Sequence, residues 1–91
     1  MADARRPWDL AREVDELVER IRPALFPLLA GKHPEIQGAA LADLTAIWLA
    51  GHVHPGDPEM TAGLRESLLE LHITAIRKLI PVNAKAMGTD G

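Results

Sequence analysis

Residues 34–50, PEIQGAALADLTAIWLA, decide the fold class. At about 100° per residue they wind into a helix with two different apolar faces. Ile36, Ala40, Leu41, Leu44, Ile47 and Trp48 fall on one broad, bulky arc. Gly38, Ala39, Ala42, Thr45, Ala46, Leu49 and Ala50 fall on the opposite arc, which is mostly small. Gly38, Ala42, Ala46 and Ala50 recur at every fourth position, so one ridge is nearly bare backbone. A helix that is apolar most of the way round belongs inside an assembly of helices, since no orientation gives it a solvated face.

Working outward from this stretch, Pro34 suits the first helical position, where a missing N–H costs nothing, and Glu35 suits the positive first turn. Gly51 ends the helix. On the N-terminal side, Lys32 and His33 form a tight connector behind a C-cap glycine, Gly31. Before that lies an amphipathic helix. Leu10, Val14, Leu17, Val18 and Ile21 make one stripe, and the charged residues, including an acid-before-base pair Glu16–Arg20, make a solvated face. This helix is expected from Trp8 or Asp9 to Arg22. Pro23 removes one hydrogen bond and clashes with the turn before it, which predicts a kink there. Leu25 and Leu28 continue the stripe, so a short extension over 24–30, with Pro27 inside, is expected beyond the kink. Residues 1–7 read as a flexible arm.

On the C-terminal side, Asp57-Pro58-Glu59 combines an N-cap aspartate, a proline at the first helical position and an acid behind it. It predicts a third helix over 58–80, closed by Pro81, with residues 82–91 as a tail. That helix has a wide apolar arc of roughly 200° or more. Met60, Leu64, Leu68, Leu71, Ala75 and Leu79 form one stripe, and Ala62, Leu69, Ile73, Ile76 and Ile80 a second. Arg65 and His72 lie nearly aligned in the gap between them. A helix packed on one side of a bundle needs little more than about 100° of apolar arc.

Composition narrows the function classes. The chain has 91 residues, a formal net charge of −3 and 3% aromatic residues. An acidic chain lacks the basic stripe of a nucleic-acid binder, and so few aromatics offer no stacking platform. The central apolar run is short of the roughly 20 residues a membrane span needs, and Asp43 interrupts it. MADARRPWDL carries no apolar run behind its arginines, so no secretory signal is expected and a cytoplasmic location is. With no cysteine, neither a disulfide nor a thiolate metal site can support a domain of this size, and stability must come from helix packing or self-association.

Three constellations are candidates for chemistry. His52 and His54 with Asp57 offer two imidazoles and a carboxylate to a zinc or nickel ion, but no further ligand stands at a defined spacing, and Asp57 is already suited to capping. Arg65 and His72 would either satisfy a polar partner across the helices, for which Asp43 and Gln37 are the natural choices, or line a small anion site. General acid–base catalysis would need a second titrating group or a nucleophile nearby, and none is nominated by spacing. The small ridge would serve close helix contact, within one chain or between two.

The expected protein is all-α: three main helices in an up-down-up bundle with a kinked extension after the first, one domain over residues 8–81, completed by dimerisation. Its expected role is a non-catalytic, self-associating protein–protein interaction module with no cofactor. Its expected interface is drawn from Gly38, Ala42, Ala46, Ala50, Arg65, Leu69, His72, Ile73 and Ile76. The expected partner is a second copy, or another protein, rather than nucleic acid or membrane. The alternative is a small-ligand or metal-responsive protein using Arg65 and His72 or the His52–His54 loop.

Overall fold

The computed structural model describes residues 6–91, so the first five residues of the expected arm lie outside the description. The described residues form three helices and no strands: α1 (Pro7–Leu29), α2 (Pro34–Ala50) and α3 (Pro58–Met87). They fall into two compact units, one ending at Ala39 and one running from Ala40 to Gly91. None of the described helices is long and apolar enough to cross a membrane.

In the first unit, α1 begins at Pro7, one or two residues earlier than the stripe suggests, with the proline at its first position and Asp9 in its first turn. The Arg6 guanidinium lies 4.9 Å from the Trp8 ring centroid. The exposed face closes two i, i+3 ion pairs, Arg12–Asp9 at 2.9 Å and Arg22–Glu19 at 3.5 Å, in place of the expected Glu16–Arg20 pair. The helix also runs unbroken through Pro23 and Pro27. The expected separation into a main helix and an extension is therefore corrected. Each proline removes one N–H, but the surrounding turns are exposed, so water can satisfy the freed carbonyls and the helix need not end. It ends where the chain leaves helical geometry at Ala30 (ψ 137°) and turns through the left-handed Gly31 at φ 76°, with the Lys32 N–H on the Leu29 carbonyl at 3.1 Å.

His33 then opens α2 in a way its role as a connector does not suggest. The Glu35 N–H donates to His33 Nδ1 at 3.1 Å, so an unprotonated imidazole nitrogen does the work of an N-cap oxygen. The Gln37 side chain donates to the Leu29 carbonyl at 2.8 Å and ties the start of α2 to the end of α1.

In the second unit, α2 ends where expected, and α3 starts as expected. Asp57 accepts from the Met60 N–H at 3.0 Å, with Pro58 at the first helical position. Its far end differs. α3 passes through Pro81 and continues to Met87, absorbing most of the expected tail. Asn83 Nδ2 donates to the Leu79 carbonyl at 3.0 Å, adding a bond beside the gap left by the proline. The stop is Gly88, left-handed at φ 73°, whose N–H reaches the Ala84 and Lys85 carbonyls, and Thr89 N–H closes on Ala84 at 2.8 Å. A residue able to adopt positive φ and satisfy the orphan carbonyls ends a helix more effectively than a missing donor does.

Two substitutions check these boundaries. Asp57→Ala should cost about 1 kcal/mol, seen as a fall of roughly 4–8 °C in melting temperature. Pro81→Ala should raise stability by about 1–3 kcal/mol and leave the helical circular dichroism unchanged. A gain of a turn or more of helical signal in Pro81→Ala would mean that the native helix stops at residue 80.

Candidate functional site

Of the side chains singled out by the sequence, those of His52, Arg65 and His72 meet at the corner between α2 and α3. Thr61, at 8% exposure, is the buried side chain among the described residues, and it is polar. Its hydroxyl accepts from the His54 N–H at 2.9 Å and donates to the His54 carbonyl at 3.1 Å, pinning the loop to the first turn of α3. One turn on, Arg65 spans the end of α2. Its Nη2 donates to the Ala50 carbonyl at 2.8 Å and its Nε to the His52 carbonyl at 3.1 Å. The last turn of a helix leaves carbonyls without partners and carries a partial negative charge, so a planar cation with several donors fits there. His52 Nδ1 lies 2.8 Å from the Trp48 carbonyl. The Trp48 indole meets the His52 ring edge-on at 5.4 Å and the tilted His72 ring at 5.3 Å.

Arg65 and His72 thus act together, as their spacing suggests, but on different partners from those expected. Neither Asp43 nor Gln37 receives them. Arg65 takes backbone carbonyls, His72 meets the tilted Trp48 ring, and Gln37 is engaged with Leu29. The reason is position along the helix: unpaired acceptors gather at the end of α2, and Arg65 lies opposite that end. The His52-x-His54 loop is likewise committed to structure through Trp48 and Thr61, while Asp57 caps α3. Among the described residues, no group of three or more histidine, cysteine, aspartate or glutamate side chains is placed to hold a metal ion.

The face of α3 turned inward is therefore Thr61, Arg65, Leu68, Leu69 and His72, all buried or half-buried. The apolar stripes flanking it are left outside: Met60, Leu64 and Leu71 on one side, Ile73, Ile76 and Ile80 on the other. Gly38, Ala42, Ala46 and Ala50, the small ridge of α2, are exposed, and a Cβ added at Gly38 would meet nothing within 4 Å. Of the expected interface residues, Leu69 is half-buried while Ile73 and Ile76 are exposed. Thr61 is the position at this corner that sequence reasoning passed over. Its signal was present, since Thr61, Arg65, Leu68 and His72 share one face by helical spacing.

No protein-family model matches the chain, nor does any curated protein or solved structure.

Replacing Thr61 with Val keeps the shape and removes both bonds to His54. The expected cost is about 1–3 kcal/mol, because the His54 N–H loses its partner in a part-buried place, while its carbonyl keeps only the Asp57 N–H. Urea unfolding should show a lower midpoint with an unchanged slope. A midpoint equal to that of the native chain would mean that Thr61 does not hold the corner.

Proposed function

We propose that this chain is a non-catalytic helical interaction module whose partner is a second copy of itself. On this reading the three helices of each copy form an up-down-up arrangement whose apolar faces are covered by those of the other. Cytoplasmic residence belongs to the same reading.

One observation carries it. Among the described residues no hydrophobic side chain is buried, and large apolar side chains stand exposed on all three helices, with Trp8, Leu17, Ile47, Leu71 and Ile80 all above 50% exposure. Fully burying such a side chain is worth about 1.5–3 kcal/mol. Ordering one residue of backbone costs about 1–2 kcal/mol. A chain that leaves these groups in water forgoes the main term that offsets the cost of folding, and covering them with a second copy restores it. Exposed apolar surface on this scale marks an interaction site. A ligand or metal reading has less support, because Arg65, His72 and His52 already hold the corner together.

The test is sedimentation at micromolar concentration, where a dimer is expected and a clean monomer would refute the reading. Ile76→Glu places a charge on an exposed stripe of α3, twice in a symmetric dimer. Losing two apolar contacts of about 1.5–3 kcal/mol each should raise Kd by roughly 10²–10⁴-fold, with helical circular dichroism retained above the new Kd.

A further inference from the structure

The self-association proposed above leaves open which faces meet and in which direction. On α3 the pattern of apolar and charged positions answers both. Leu69, Ile73, Ile76 and Ile80 are spaced by four, three and four residues, the spacing of a seam between paired helices. Leu69 is half-buried and the three isoleucines are exposed. The two edges of this seam differ in kind. One edge carries Arg65 and His72, which the corner with α2 already holds through the Ala50 and His52 carbonyls and the Trp48 ring. The other edge carries Glu70 and Arg77, one heptad apart and both exposed. Neither forms an ion pair among the described residues. Their own helix offers none: no residue three or four positions from Glu70 is basic, and none that far from Arg77 is acidic. At its two ends the seam turns polar, with Glu66 before Leu69 and Asn83 after Ile80. Glu66 also has no ion pair among the described residues. The Asn83 amide gives one N–H to the Leu79 carbonyl and has a second to give.

These charges decide direction. In a parallel pair each seam residue meets its own copy, so Glu66 would face Glu66. The Glu70–Arg77 edge would then meet the partner's Arg65–His72 edge, which is committed to the corner. In an antiparallel pair the open edge meets the open edge. The charges also decide register. Pairing Leu69 with the partner's Ile80, and Ile73 with the partner's Ile76, brings Glu70 opposite the partner's Arg77, twice by symmetry. The same register sets Glu66 opposite the partner's Asn83, where the second amide N–H can reach the carboxylate. Sliding one heptad in one direction sets Arg77 against Arg77 and Asn83 against Ile73. Sliding it the other way sets Glu70 against Glu70 and Glu66 against Ile76. Both slips place like charges together and bury a polar group against an isoleucine, which disfavours them.

We infer that α3 pairs antiparallel with α3 of a second copy, through Leu69, Ile73, Ile76 and Ile80, in the register set by reciprocal Glu70–Arg77 and Glu66–Asn83 pairs. The apolar centre is about 17 Å long. Beyond the polar pairs the next seam positions are Ala62 and Met87, which lie opposite each other in this register and both belong to α3. Counted to them, the contact runs for about 38 Å, within the roughly three to four heptads that sustain a coiled coil.

This inference rests on self-association, and the experiment separates the two. The chain has no cysteine, so a single introduced one is the only site for a thiol-specific cross-linker. Glu70→Cys and Arg77→Cys are exposed-site variants whose folding is checked by circular dichroism. Each is treated alone, and the two co-expressed, with a short bismaleimide, and the products are separated by intact mass. The mixed product should exceed either self-linked product several-fold. Predominant self-linking of Glu70→Cys or of Arg77→Cys would overturn the register. A dimer by sedimentation that yields no linked product would give the α3 stripe to another occupant and leave self-association standing, and a monomer would overturn both. Charge reversal gives an independent reading at low ionic strength, where such pairs are least screened. Glu70→Arg and Arg77→Glu should each raise Kd several-fold alone, and an equimolar mixture should return to the native value. No change in either single variant, or no recovery on mixing, would overturn the pairing.

Discussion

The contact on which the second unit depends is that of the Arg65 guanidinium with the carbonyls of Ala50 and His52. A helix end is a place where acceptors outnumber donors; Gly51 and His52 reach the Ile47, Trp48 and Leu49 carbonyls, and Arg65 takes that of Ala50. By reaching it from α3, Arg65 does two things at once. It closes the end of α2, and it fixes which face of α3 turns toward that end. Thr61, Leu68 and His72 share that face and follow it inward. The leucine and isoleucine stripes on either side then have no choice but to face away.

The result inverts the usual division of a small domain, in which apolar groups are inside and polar ones outside. Here the corner is built of a threonine, an arginine, two histidines and one tryptophan, while most large aliphatic side chains remain in reach of water. Directional bonds define geometry well and contribute little net stability, about 0.5–1.5 kcal/mol each. Area burial contributes the bulk of stability and is indifferent to direction. The proposed module divides the two tasks between levels: hydrogen bonds set the shape of one copy, and apolar burial between copies supplies the energy.

How much of this was legible in the sequence follows from what kind of signal each feature leaves. Asp57-Pro58 and the Pro34 start are local: each needs only its neighbours, and each appears where expected. The Arg65–His72 alignment is periodic, so the pair could be picked out, but its partners depend on which part of α2 lies opposite, and periodicity carries no information about that. Pro23 and Pro81 misled for a different reason. A proline inside a helix has a definite cost, yet whether the helix ends there depends on what lies beyond. Gly88 offered a better-satisfied stop for α3, and the turn Ala30–Gly31 did so for α1 through the Ala30 and Lys32 N–H groups. His33 was hidden because histidine is an uncommon cap. The small ridge of α2 was read as a surface for close contact within one chain or between two; its four residues are exposed in one copy.

The bonds of the α2–α3 corner also set an order of events. They close short stretches of chain, 7 residues between Thr61 and His54 and 13 and 15 between Arg65 and the end of α2. Loops of about 10 residues close in about 10–100 ns, and local contacts of this kind favour fast folding. Meeting a second molecule is a bimolecular event limited by encounter, with typical rate constants of about 10⁵–10⁷ M⁻¹s⁻¹. At micromolar protein that is slower by several orders of magnitude. The bonds of the corner therefore have time to form and break many times between encounters, and their geometry is sampled within one copy rather than set by the meeting of two.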